Sequence, residues 1–310
     1  MNRYQTVKLE QKYTARMFDR EFPTEDACLE YVFERRFPGG VALCVNCQVE
    51  RKHYRVSGRT SFACPACGNH LYPLAGTIFH KSSTSLRTWF YVIRLMASTR
   101  VGVSAKQIQR ETGVTYKTAW RMMKQVRQLM AEKITLEGQV EADEAEFGGS
   151  DLNKPLHLRG KAKTIVLGMV ERGGRVVTEI VPNSSALALA PSVRHLVQKD
   201  STVITDRNPS YNTVSQDRKY THLTVNHSRG YVDGYAHTNT IDGFWSLVKR
   251  GIKGVYYQVG LPYLQSYLNE YAFRYNRRKV MRPMFSLLAE RTVTQVCPSA
   301  REERLLARPE

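Results

Sequence analysis

Beyond Gly138 the apolar residues stop recurring every three or four positions and begin to alternate. Gln139-Val140-Glu141-Ala142-Asp143-Glu144-Ala145-Glu146-Phe147 runs into Gly148-Gly149, the pattern of a half-buried strand ended by a turn. The stretch 164–170 predicts a second strand, and Gly173-Gly174 turns the chain into a third over 175–181. Positions 191–199, opening on Pro191, predict a helix. Thr202-Val203-Ile204-Thr205-Asp206 is short and largely apolar, as a strand buried on both faces would be. A fifth strand is predicted over 222–226, then helices over 239–249 and 262–274. A three-strand meander, a helix, two more strands and closing helices predict a mixed α/β domain with a central sheet.

The preceding residues have a different rhythm. Phe22-Pro23-Thr24 predicts the start of a helix over 27–36, and Ser85 is placed to cap another over 86–96. Ser104 opens a short helix that Gly113 breaks, and Thr115 caps a basic one over 116–127. Helix, glycine turn and capped basic helix form the pattern of a helix-turn-helix, with Thr115, Tyr116, Lys117 and Arg121 as the residues to reach a DNA groove. Plain helix packing gives the same spacing. Trp89 and Trp120 are expected in the core.

Cysteine placement adds a metal. Cys44/Cys47 and Cys64/Cys67 are two C-x-x-C pairs with sixteen residues between them. Two such knuckles, joined by a hairpin with short strands over 52–56 and 59–63, bring four thiolates around one Zn²⁺. His53, His70 and His80 flank the ribbon, but four cysteines already fill a tetrahedral site. Cys28 and Cys297 are expected to be ordinary thiols of a reducing compartment.

Charge narrows the partner. The 310 residues carry 46 Lys+Arg against 28 Asp+Glu, a formal +18 that favours a polyanion through counterion release. No run of the ~20 apolar residues needed for a membrane helix occurs, so no membrane partner is expected.

Three aspartates could carry chemistry. Asp143 lies in one predicted strand, Asp206 ends another, and Asp242 begins a helix in His237-Thr238-Asn239-Thr240-Ile241-Asp242-Gly243-Phe244-Trp245. Converging, they would hold two Mg²⁺ or Mn²⁺ ions, which take hard oxygen ligands and act on phosphodiesters. Taken singly, each is equally a turn or cap residue. Glu141 shares the strand face of Asp143, whereas Glu144 and Glu146 point the other way. Tyr256 and Tyr257, after the basic segment Lys249-Arg250-Gly251-Ile252-Lys253-Gly254, are either base-stacking or core residues. Arg274, Arg277, Arg278 and Lys279 end a helix, as a solvated cap or a DNA contact.

With Val140-Glu141-Ala142-Asp143-Glu144, Ile204-Thr205-Asp206, the block from His237 to Gly251 and Tyr271-Ala272-Phe273-Arg274-Tyr275-Asn276-Arg277-Arg278, the chain resembles ISXO-type bacterial insertion-sequence transposases, relatives of the Merlin transposons. That resemblance implies an RNase H-like catalytic domain over 136–295. Before it come a helical segment over 1–40, the zinc ribbon over 41–80 and the helix-turn-helix over 81–135, and after it a charged tail over 296–310. It implies strand cleavage and transfer on double-stranded DNA, at terminal inverted repeats and at a target, by a homodimer or larger assembly in the bacterial cytoplasm. Asp143 and Asp206 match the first two acids. The third departs: the family usually shows Glu where this chain has Asp242, and Asn239 is an alternative ligand. Lys249, seven residues after Asp242 and so on the same helix face, is placed to grip a phosphate, with Arg250 beside it, and favours the Asp242 register. The shorter acid leaves a weakened or inactive DNA-binding derivative as the alternative function. An RNase H-like nuclease without strand transfer is a further one.

Overall fold

The computed structural model describes residues 12–148, 163–225 and 237–294. Gly149, Asn226, Cys297 and the expected tail lie outside them. The chain forms two compact units, one from residues up to Thr99, Val103–Leu129 and the segment from Val280, the other from Arg100–Gly102 and Met130–Lys279.

The first unit holds α1 (Ala15–Glu21), α2 (Glu25–Arg36), β1 (Val41–Cys44), β2 (Val49–Lys52), β3 (Tyr54–Arg55), β4 (Phe62–Ala63), β5 (His70–Leu71), α3 (Leu86–Ser98), α4 (Ala105–Thr112) and α5 (Tyr116–Leu129). The helix starts follow the polar residues that sequence marks. Thr24 accepts from the Ala27 amide, Ser85 from Thr88, Ser104 from Gln107 and Thr115 from Thr118. Gly113 ends α4 with φ 73°, a left-handed cap that glycine adopts without Cβ strain. The ribbon is split more finely than expected. β1 pairs with β2 antiparallel, and β3, β4 and β5 form a separate three-stranded sheet. Trp89 is fully buried and Trp120 half-buried. A last helix, α10 (Met284–Thr294), packs on α2, α3 and α5 in this unit instead of joining the mixed sheet.

The second unit is a five-stranded sheet flanked by helices. Its elements are β6 (Gln139–Phe147), β7 (Thr164–Glu171), β8 (Val176–Val181), α6 (Ala186–Leu196), β9 (Thr202–Asp206), α7 (Asn212–Ser215), β10 (Thr221–Val225), α8 (Asn239–Gly251) and α9 (Leu261–Asn276). Strand order is β10-β9-β6-β7-β8. β6, β7 and β8 are an antiparallel meander, whereas β9 runs parallel to β6 and β10 parallel to β9. The expected helix over 191–199 starts earlier, with Ser185 at its cap position and Pro191 inside it.

Each face of the sheet is apolar. Val140, Ala142, Leu167, Met169 and Val203 pack with Leu189 and Val193 of α6. On the opposite face Ala145, Phe147, Val166 and Val170 pack with Ile241, Phe244, Trp245 and Val248 of α8 and with α9. Those four α8 residues recur every three or four positions, so the helix lays one stripe on the sheet and leaves the other in water. Burying each contributes about 1.5–3 kcal/mol.

Candidate functional site

The cysteines form one cluster. Cys44 ends β1 and Cys64 follows β4, and each opens a tight knuckle. The Gln48 amide donates to the Cys44 carbonyl at 2.8 Å, and the Gly68 amide to that of Cys64 at 2.9 Å. Both amides belong to residues with left-handed φ, 55° at Gln48 and 70° at Gly68. All four ligand sulfurs lie within 4.8 Å of one another, with Cys44–Cys67 at 3.5 Å and Cys47–Cys64 at 3.9 Å. A tetrahedron with Zn–S bonds of 2.3 Å has edges of about 3.8 Å. The donor set and its spacing therefore fit zinc. The Asn69 amide pulls the Cys67 thiol down to about 6, towards the thiolate a metal takes. His53 and His70 are occupied by the Arg51 carbonyl and the Ser61 hydroxyl, each at 2.9 Å, and His80 is exposed. Among the described residues these four cysteines are the one gathering of three or more His, Cys, Asp or Glu ligand atoms.

The acids occupy the second unit. β6 and β9 pair in parallel register up to Glu141↔Ile204, and two residues further along each strand stand Asp143 and Asp206. Neighbouring strands lie about 4.8 Å apart. Asp143 shares the sheet face of Glu141 and Ala145, the face on which α8 lies, and Asp242 stands in the first turn of α8. The charges of Asp242 and Asp206 both act on Asp143. Asp143 is raised from 3.8 to about 7, first by burial, then by the charges of Asp242 and Glu144, with Asp206 adding a smaller push. Asn239 is exposed in the same turn. Lys249 and Arg250 lie exposed towards the far end of α8, Arg250 donating to the Ser246 carbonyl at 3.1 Å.

Two residues hold α8 in place, a role that the sequence suggests for neither. Glu141 is fully buried, and its carboxylate accepts from the Thr240 and Ile241 amides at 2.8 and 3.1 Å and from the Thr240 hydroxyl at 2.9 Å. Arg172 donates to it at 2.9 Å, and His237 Nδ1 stands 3.2 Å away. Thr238, at the cap position, supplies no side-chain cap, so a strand ninety-nine residues earlier caps this helix. Gly168 pairs with Asp143 across β6 and β7. A Cβ there would fall 2.3 Å from the Trp245 ring. The missing side chain lets α8 seat directly over the strand beside Asp143.

Other expected contacts resolve differently. Glu144 faces α6, as its alternation requires, and accepts from the Tyr211 hydroxyl at 2.7 Å. In the first unit Thr115, Tyr116 and Lys117 are exposed and Arg121 is half-buried. Its guanidinium lies 5.7 Å from the Trp89 ring and donates to Ser82 at 3.4 Å, because position 121 turns towards α3. The basic run at the end of α9 is tied to its own unit: Arg274 to Glu270, Arg277 to Glu132, Arg278 to the Gly174 carbonyl and Lys279 to that of Gly173.

Residues 135–276 match the ISXO2-like transposase domain, and residues 23–70 the transposase zinc-ribbon domain. An uncharacterized transposase-like protein of Haemophilus influenzae is 31% identical over 108 residues, 34% of this chain and 85% of that protein. The chain belongs to the ISXO2-like transposases. An uncharacterized protein in transposable element ISH50 of Halobacterium salinarum is 29% identical over 274 residues, covering 80% of this transposase and 91% of the relative. A chain in the cryoEM structure of a simian T-cell lymphotropic virus intasome with a PP2A regulatory subunit is 12% identical. It covers 72% of this transposase and 77% of its own length at a TM-score of 0.31, too low to bear on fold. No helix among the described residues of the transposase is long and apolar enough to cross a membrane.

Proposed function

We propose that this transposase binds the terminal inverted repeats of its element, cleaves DNA strands there and transfers them to a target. The observation that carries the reading is the coupling of Asp143 to Asp242 and Asp206 at one side of a buried sheet. The charges of Asp242 and Asp206 both push Asp143 up, so a cation beside Asp143 is favoured. Carboxylate oxygens are the hard donors that magnesium or manganese takes, and Asp143, Asp206 and Asp242 would hold the metal by drawing nearer to one another than they stand here, where among the described residues only the cysteines gather three ligand atoms. Bound there, the metal supplies Lewis-acid polarisation of a phosphodiester and a lowered pKa for the attacking water or 3′-hydroxyl. The chain's own residues orient the site. Glu141 and Gly168 set the position of α8, and Lys249 and Arg250 lie further along that helix as phosphate contacts. Asn239 is the alternative third ligand, and the charge of Asp242 at Asp143 favours Asp242.

The strand order β10-β9-β6-β7-β8, antiparallel then parallel, supports an RNase H-like catalytic domain within 136–295. The capped pair α4 and α5 supports a helix-turn-helix that presents Thr115, Tyr116 and Lys117 to DNA, alongside the ribbon. Joining two element ends calls for at least a homodimer.

The test is nicking and joining of a duplex carrying the element's terminal repeat, by the full zinc-loaded chain in Mg²⁺ or Mn²⁺. Metal-dependent nicking that Asp143→Ala abolishes is expected, with joined product. Retained binding without nicking in either metal would mark an inactive DNA-binding derivative, and cleavage with no joined product a nuclease.

A further inference from the structure

The chain after α8 leaves the helical path in two steps. Residues Ile252–Tyr256 form a π-helical turn, and Tyr257 then takes φ 61° and ψ −58°. The Gln258 amide donates to the Tyr256 carbonyl at 2.7 Å, closing a γ-turn of the hand that strains any residue bearing a Cβ. Strain of this kind persists only where neighbours enforce it, and it gathers at functional positions. Here Tyr256 enforces it. Its hydroxyl donates to Glu270 at 2.8 Å, and its ring meets Tyr267 edge-on at 4.7 Å. Glu270 is fully buried and paired with Arg274 at 2.6 Å.

The strained residue itself gains nothing from the core. Tyr257 is 86% exposed, the most exposed aromatic side chain among the described residues. Glycine would relieve the backbone at this position, so neither packing nor turn geometry accounts for a tyrosine. Its surroundings are cationic. Asp242, Ser246, Lys249 and Arg250 are exposed at helical spacing along the outer stripe of α8, and exposed Lys253 follows. A path of positive charge thus leads from the acids to an aromatic ring held out in water.

We infer that Tyr257 is a stacking platform for an unpaired base of the DNA strand held by this basic path. Aromatic rings beside a cationic track bind single strands with little regard to sequence, because every base has a π-face. Tyr257 follows Asp242 by fifteen residues and lies beyond the end of α8. That the track starts at a cutting site rests on the reading of the acids under the proposed function; the stacking itself does not.

The test uses the full zinc-loaded chain, a fluorescein-labelled single strand of about twenty nucleotides and the matching blunt duplex. Tyr257→Gly should bind the single strand about five- to a hundredfold more weakly and the duplex nearly as before. Tyr257→Phe should bind like the parent. The melting temperature of Tyr257→Gly should not fall, since glycine accepts this φ. Single-strand affinity unchanged in Tyr257→Gly, or lost equally for both DNAs, overturns the inference. So does a changed sedimentation coefficient with unchanged DNA affinity, which would make the ring a protein contact. Nicking by the parent chain is scored separately. Normal nicking with an unaffected Tyr257→Gly sinks the stacking site alone, and weakened binding by Tyr257→Gly with no nicking in Mg²⁺ or Mn²⁺ sinks the cleavage reading alone.

Discussion

Replacing Glu141 with alanine should loosen α8 more than any exposed substitution on that helix. The carboxylate is fully buried and accepts from Arg172, from two main-chain amides and from the Thr240 hydroxyl, all within 3.1 Å. Removing it leaves the Thr240 and Ile241 amides without this acceptor and takes the carboxylate from the Arg172 guanidinium, which keeps its bonds to the Gln139 side chain and the His237 carbonyl. Breaking a buried charge pair by deleting one partner costs about 3–5 kcal/mol, a large share of the ~5–15 kcal/mol that holds a domain together. Glu141→Gln keeps the shape and one acceptor oxygen but turns an amide group towards Arg172. Its cost should be lower, about 1.5–3 kcal/mol, the worth of a hydrogen bond to a charged group. Urea unfolding gives the total. Hydrogen exchange on peptides covering 237–251 gives the location, which whole-chain fluorescence would blur because Trp89 belongs to the other unit. Faster exchange at the start of α8, graded Ala above Gln above parent, is expected. A loss below about 1 kcal/mol in Glu141→Ala, with unchanged exchange there, would refute the argument that this strand residue anchors the helix.

Two further outcomes follow from the geometry. Cys64→Ser should release the metal of the ribbon and destabilise the fold around it, since a structural zinc site contributes folding free energy directly. Native mass spectrometry showing the same zinc content would count against it. Asp143→Asn should stabilise the zinc-loaded protein without Mg²⁺ or Mn²⁺ at pH 8 and much less at pH 5. The fold raises this carboxyl from 3.8 to about 7, so the folded state holds the proton more tightly than the unfolded chain. The parent therefore gains stability as pH falls through about 7 and levels off below about 4, while the asparagine variant lacks that term. Partial access of water to the side chain reduces the full linkage, leaving about 2–3 kcal/mol at pH 8. Denaturant curves at the two pH values check it, and an equal difference at both would dismiss the coupling.

What the sequence discloses here is what depends on near neighbours in the chain. The C-x-x-C knuckles, the capping residues Thr24, Ser85, Ser104 and Thr115 and the alternation of β6 each need a window of only a few residues. The strand from Gln139 to Phe147 is legible because both its faces are committed, one to α6 and one to α8. The cap of α8 was not legible, since its acceptor lies ninety-nine residues upstream and Glu141 reads only as a rival to Asp143. Gly168 gave a weak signal, a lone glycine inside an apolar strand, whose meaning appears only when Trp245 is seen against it. Tyr256 and Tyr257 cannot be told apart by pattern. The γ-turn between them sends one to Glu270 and the other into solvent.

The shortened third acid is the feature on which the proposed chemistry turns, and the sheet offers a physical answer to it. A side chain shorter by one methylene reaches a shared site only if its helix sits closer. Gly168 is the strand partner of Asp143, and the ring of Trp245, three residues after Asp242, occupies the space a Cβ would take. Glu141 fixes the same helix end from the same strand, two residues before Asp143. Glu141 holds the first turn of α8 against β6, and Gly168 lets Trp245 of the same helix sit close over β7. The charge of Asp242 is accordingly the largest electrostatic influence on Asp143, ahead of Glu144 in the adjoining position and of Asp206 on the next strand. Under the proposed chemistry a backbone held this close to the strand would offset the shorter side chain, and metal-dependent nicking by the parent chain, lost in Asp242→Ala, is the outcome that argument requires.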